Sequence, residues 1–263
     1  MKEFFIVAAF LFVLWNIVPA EIEKRIGDGG IYYSENGGET WEQMAVMENR
    51  FLITSLDVLS LAVHPDDAEI LYLGSKGGGL YKSYSRGKYW HQITGEGEEL
   101  SDGADIYDIA IDSENPDRIY LAVGQNKRGR VLRSEDGGGS WEEVYIIADK
   151  KQIVSEIAID NYDSSVIYIK TSEGEFLKSA DYGKTWQIVK WFEDAISKIA
   201  INPEAELVLS NASQLFYKAD SVLYRSLDGG ENWTIRQLPT SRKIKEIVID
   251  PQNPNLIYAG VSK

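Results

Sequence analysis

The chain has 263 residues, 44% hydrophobic and 26% charged, which suits one all-β domain large enough to bury a sizeable core. Its formal net charge of −14 repels phosphate backbones and argues against nucleic acid as a partner. It has no cysteine, which excludes disulfides, thiolate metal sites, cysteine nucleophiles and a lipid anchor on an N-terminal cysteine.

In chain order, the first feature is the apolar run Phe4 to Val18, fifteen residues with only Asn16 polar. A membrane helix needs about 20 such residues. Val18 and Ala20 fit the small-residue pattern of a cleavage site after Ala20. Residues 1–20 read as a signal peptide, or alternatively as an uncleaved N-terminal membrane anchor. Either places 21–263 outside the cytoplasm, with membrane contact only through that segment.

The remainder repeats. "SENGGETW" (34–41), "SYSRGKYW" (83–90), "SEDGGGSW" (134–141), "SADYGKTW" (179–186) and "SLDGGENW" (226–233) are five versions of one box. Their tryptophans, Trp41, Trp90, Trp141, Trp186 and Trp233, are spaced by 49, 51, 45 and 47 residues. Each box follows a short apolar stretch such as "GLYKS" or "RVLRS". Further upstream lie "SLAVHP", "DIAIDS", "EIAIDN", "KIAINP" and "EIVIDP", then "ILYLGS", "RIYLAVG" and their kin. These alternating runs broken by turn residues predict four strands per repeat, a to d, with the box between c and d. Four antiparallel strands repeated radially predict a β-propeller.

The pattern S-x-D-x-G-x-[TS]-W resembles the Asp-box, or BNR repeat, over residues 26–263. The rhythm around it is most similar to the sortilin/Vps10-like and photosystem II assembly-factor-like propellers. That resemblance implies an all-β propeller of four-stranded Asp-box blades, and a branch whose members bind peptides or escort membrane-protein subunits. The box Asp is replaced by Asn36 in the first copy and Ser85 in the second, so those two hairpins are expected to be looser.

The box residues read as structural. Asp136, Asp181 and Asp228 are placed to accept backbone N–H groups of their own turns. Gly138, Gly183 and Gly230 supply a left-handed backbone, and the tryptophans supply buried area. A strand rather than a helix follows each box, which argues against a phosphate loop, and the acidic spacing matches no calcium loop. No cofactor or metal is expected.

Four units, 60–95, 108–147, 156–192 and 198–238, are complete. A fifth is divided between strands a and b at 246–263 and strands c and d from about residue 26. Two readings fit: five closed blades with a split fifth, or a fragment of a six- or seven-bladed propeller. A monomer is expected.

Residues at equivalent places in every repeat serve the fold. Among them are His64 in an a–b turn and Lys82, Arg133, Lys178 and Arg225 on strand c. His91 is left over, but one histidine makes no metal site. The irregular stretches fall on the d–a and b–c connections, at the rim opposite the boxes, where loops on a rigid scaffold usually bind. Candidate binding residues there are the basic tip Lys127, Arg128 and Arg130 and the aromatic pair Trp191 and Phe192. The 95–105 loop, with Glu96, Glu98, Glu99, Asp102 and Asp105, reads as a solvated acidic loop.

A sialidase-like active site would need an Arg-Ile-Pro motif, and "RIG" at 25–27 lacks the proline. The expectation is therefore an exported, non-catalytic module that recognises a protein, peptide or glycan through that rim. The alternative is a glycoside hydrolase, sialidase-like or xyloglucanase-like, with a rim active site.

Overall fold

The computed structural model describes residues 30–34, 36, 38–44, 53–94, 99–149, 151–160, 162–192, 196–201, 207–212, 221–226, 231–238, 244–249 and 257–261. Residues 1–20, Glu96, Glu98, Asp228 and Gly230 lie outside them, as do residues 213–220 and 239–243. The chain divides into two compact units, residues 1–57 and 58–263. Among the described residues no helix is long and apolar enough to cross a membrane.

The first unit holds a two-stranded antiparallel sheet, β1 (Ile31–Tyr33) and β2 (Glu42–Met44), and a 3-10 turn at Ile53–Ser55. The second holds four sheets of four strands each. They are β3 (Val58–Val63), β4 (Leu71–Ser75), β5 (Gly79–Ser83) and β6 (His91–Ile93), followed by β7 (Asp105–Ile111), β8 (Ile119–Gln125), β9 (Arg128–Ser134) and β10 (Glu142–Ile146). Then come β11 (Val154–Ile159), β12 (Ile167–Thr171), β13 (Glu175–Ser179) and β14 (Gln187–Trp191), and β15 (Ile196–Ile201), β16 (Leu207–Ala212), β17 (Ser221–Ser226) and β18 (Thr234–Gln237). A final pair, β19 (Ile244–Ile249) and β20 (Ile257–Val261), forms a two-stranded sheet.

Each four-stranded sheet is antiparallel in chain order, the a–b–c–d blade expected of a β-propeller. The middle strands are apolar on both faces: Tyr120, Leu121, Ala122 and Val123 of β8 are all fully buried. Such a strand needs cover on two sides, which neighbouring blades supply. One core cluster joins Tyr72 and Leu80 to Ile106, Leu121 and Leu132, and the next joins Tyr120 and Val131 to Ile157, Ile169 and Leu177.

The first strands of successive blades lie side by side: β3 by β7, β7 by β11, β11 by β15 and β15 by β19. Each carries a register shift at the same place, across Leu59, Tyr107, Ser155, Ser197 and Lys245. A bulge leaves one residue out of the ladder and re-aims its neighbours. The residue that follows reaches the next blade. Ser60 Oγ donates to the Ile106 carbonyl (3.1 Å), Asp108 Oδ2 accepts from the Ile157 N–H (2.9 Å) and Glu156 Oε2 accepts from the Ile199 N–H (3.2 Å). Glu156 is itself buried and paired with Lys170 at 3.0 Å.

Candidate functional site

The box hairpins come first, because they fix one rim. Ser134 Oγ accepts from the N–H groups of Gly138 (2.8 Å) and Asp136 (3.2 Å) and donates to Asp136 Oδ1 (2.7 Å). Asp136 in turn accepts from the Ser140 N–H and hydroxyl. Ser179, Asp181 and Thr185 repeat this network atom for atom. The Ser140 hydroxyl and N–H hold the Asp136 carboxyl down at about 2, and Thr185 does the same for Asp181. Gly138 and Gly183 sit at φ +96° and +84°, each with its box tryptophan ring beside the α-carbon, where a side chain would be strained.

The two substituted boxes differ from expectation in an informative way. Asn36 keeps the turn: its Oδ1 accepts from Thr40 N–H and Ser34 Oγ, and its Nδ2 donates to Thr40 Oγ1 at 2.8 Å. Ser85 retains the backbone bond to Tyr89 N–H (3.0 Å), and its contact with Ser83 Oγ lengthens to 3.4 Å. An amide is isosteric with the carboxylate and loosens nothing; the shorter serine does. Trp90 and Trp141 are buried, whereas Trp41 is 61% exposed, contrary to a uniform burying role. Trp186 and Trp233 are half-buried, Trp186 donating to the Val144 carbonyl at 3.0 Å.

Box hairpins also receive a clamp from the preceding blade. Tyr72 OH and Lys82 Nζ both donate to the Gly137 carbonyl, at 3.1 and 2.9 Å. Tyr120 OH and Arg133 Nη1 both donate to the Tyr182 carbonyl, at 3.1 and 2.7 Å. The repeat-equivalent Lys82 and Arg133 are thus committed to the fold.

The opposite rim holds a pocket of about 380 Å³. Its lining comes from three connections: Ser101, Gly103, Asp105 and Tyr107 where β7 begins, Gly124 to Arg128 at the β8–β9 hairpin, and Gln152 and Ile153 before β11. Tyr107 is the bulge residue of β7, and the bulge turns its ring toward β8. That approach requires glycine: a Cβ on Gly124 would lie 2.8 Å from Tyr107 Cε2. Tyr107 OH donates to Asp105 Oδ2 at 3.2 Å, and Asp105 Oδ1 accepts from the Gly77 N–H at 2.7 Å. Burial, with Asp105 adding to it, pushes the Tyr107 phenol up, so it stays protonated. Gln152 Nε2 donates to Glu173 Oε2 at 3.2 Å, while its Oε1 is buried without a partner.

Of the candidate binding residues, the structure brings together only Lys127 and Arg128, both in this lining. Arg130 points instead to Glu143 (3.1 Å). Trp191 is exposed at the end of β14, on another blade. Phe192 requires a correction: it is 2% exposed and packed edge-on against Phe176, Tyr224 and Trp233, so it is core. Sequence reasoning passed over Tyr107 and Gln152. No local signal marked Tyr107, because the bulge position, held by Leu59, Tyr107, Ser155, Ser197 and Lys245, has no residue type common to all five repeats. Among the described residues no group of three or more His, Asp or Glu side chains is placed to hold a metal ion.

Two family models match parts of the chain. The BNR/Asp-box repeat model matches residues 32–43, and the "Sortilin, neurotensin receptor 3" model matches residues 129–237. The chain carries Asp-box repeats and is built of β-propeller blades. Among solved structures, an ancestral GH74 enzyme aligns with TM-score 0.68 at 21% identity, covering 87% of this chain and 31% of its own. YCF48 bound to a peptide aligns with TM-score 0.61 at 16% identity, covering 89% and 68%.

Curated relatives bear on activity. A xyloglucanase from a Paenibacillus species is 26% identical, over 67% of this chain and 20% of its own length. An oligoxyloglucan-reducing end-specific xyloglucanase from Emericella nidulans is 30% identical, over 67% and 23%. The chain spans about a fifth of the length of these relatives. The non-catalytic reading of this Asp-box propeller is overturned by these matches, which favour the glycoside hydrolase alternative. The missing Arg-Ile-Pro motif bore only on sialidase-like chemistry. It carried no weight against hydrolysis by paired carboxylates, of which this acidic chain has many.

Proposed function

We propose that this chain acts on xyloglucan-type glycans as a glycoside hydrolase, outside the cytoplasm. The observation that carries the reading is the similarity to xyloglucanases over two thirds of the chain. The rim pocket supports it as the place where a sugar ring is held: its volume suits a small ligand, and its lining mixes a tyrosine, a carboxylate, an amide and cations.

Asp105 is the carboxylate in that lining. With donors on both of its oxygens it is set as an acceptor, the role of a base or charge stabiliser rather than of a proton donor. Hydrolysis needs a second carboxylate across the scissile bond.

The test is release of reducing ends from xyloglucan by the purified chain, with a fluorogenic sialoside as control. The expected result is turnover of xyloglucan alone, reduced roughly 100-fold or more in Asp105→Asn. Full activity in a folded Asp105→Asn protein removes Asp105 from the machinery, and absence of turnover in the unaltered chain removes the hydrolase reading.

A further inference from the structure

Four arginines of the second unit are tied to carboxylates. Arg86, Arg118, Arg130 and Arg133 each hold one at 3.2 Å or less. Arg128 and Lys127 differ. Neither side chain has a hydrogen-bond or ion-pair partner among the described residues, in a chain with fourteen acidic charges in excess. Lys127 is exposed and held at φ +61° in the hairpin; Arg128 is half-buried as β9 begins. Both line the rim pocket.

The same lining carries an unsatisfied acceptor. Gln152 is only 7% exposed, and its Oε1 has no partner, while its Nε2 is committed to Glu173. A buried amide oxygen left unpaired is costly unless something donates to it. The remaining charge, Asp105, already receives the Gly77 N–H and the Tyr107 hydroxyl. The charged side chains of the lining therefore sum to +1, with two cations and one buried oxygen waiting for complements.

We infer that this pocket is a subsite for a carboxylate-bearing sugar, a hexuronate carried as an acidic branch on the otherwise neutral glycan. Its carboxylate pairs with the Arg128 guanidinium, whose planar fork suits that group. Lys127 adds positive potential at the mouth, and a ring hydroxyl donates to Gln152 Oε1. Tyr107 offers its ring and a protonated hydroxyl rather than a second anion. A neutral sugar would satisfy Gln152 but leave both cations bare, and a simple carboxylate would do the reverse. A cavity of about 380 Å³ holds one pyranose rather than a long segment.

The inference rests on the glycan reading above for the sugar, but not on hydrolysis. It is tested by calorimetric titration of the whole chain at low salt with sodium D-glucuronate, D-glucose and sodium acetate. Glucuronate is expected to bind at least tenfold more tightly than either of the others. Arg128→Gln, at a half-exposed position with no protein partner, is expected to bring glucuronate down to the level of glucose with an unchanged melting temperature. Gln152→Leu is expected to weaken both sugars. Equal binding of glucuronate and glucose, acetate binding as tightly as glucuronate, or no binding of any of the three overturns the proposal. So does a preference that survives in folded Arg128→Gln. Xyloglucan turnover in the same preparations keeps the two readings apart: turnover without the preference sinks the subsite alone, and the preference without turnover sinks the hydrolase alone.

Discussion

Serine and aspartate share the work at a box hairpin. The Ser134 hydroxyl gathers two N–H groups, and Asp136 gathers the far end of the turn. Because Asp136 and Asp181 titrate near about 2 when folded, against 3.8 for the free side chain, their bonds favour the folded state above pH about 3.8. That contribution is lost as pH falls from there through about 2. Melting curves between pH 5 and pH 2 are expected to show a falling transition that is shallower in Asp136→Asn. The first box already runs on Asn36, so the variant is expected to melt within a few degrees of the parent at pH 5. An unaltered slope would show that Asp136 contributes nothing to the acid response.

Strands become a blade through registry, and blades become a stack through single polar groups. Tyr120 is fully buried, and its hydroxyl shares the Tyr182 carbonyl with Arg133. Tyr120→Phe removes one of two donors and is expected to cost about 1 kcal/mol. Combining it with Arg133→Met strips the carbonyl of both, so the double variant is expected to lose about 1 kcal/mol more than the sum of the singles in urea denaturation. Additivity would mean that water replaces the clamp. Much at this scale was legible beforehand, since the a–b–c–d order and box positions follow from alternation and turn residues. The bulges were not, because a one-residue register slip in a first strand depends on the partner strand's ladder, which no local pattern records. With them went the aim of Tyr107 and the reach of Asp108 and Glu156.

For the molecule as a whole, the stacking of blades passes through a buried charge. Glu156 ties β11 to β15 and is neutralised by Lys170. Lys170→Met strands that carboxylate in the interior and is expected to destabilise the protein by about 3 kcal/mol, with part recovered by adding Glu156→Gln. Equilibrium unfolding measures both, and an unaffected Lys170→Met would place the blade contact elsewhere. The candidate site shows why function was harder to read than fold. The repeats are written five times along the chain, whereas Asp105, Tyr107, Arg128 and Gln152 come once each from three separate connections and meet only when blades stack. Subtracting the repeat pointed to the rim that holds this pocket and to its hairpin cations, but Phe192 looked like a loop aromatic until its partners Phe176, Tyr224 and Trp233 were in place.

The clamp between blades grips a carbonyl, a group that every residue carries. Gly137 receives it in one box and Tyr182 in the next. A gene that gains or loses one unit of about 48 residues by unequal recombination therefore hands each flanking blade the same acceptor it held before. Growth in blade number needs no matching change in the neighbours, and the side chain at that position, Gly137 in one box and Tyr182 in the next, changes without touching the clamp.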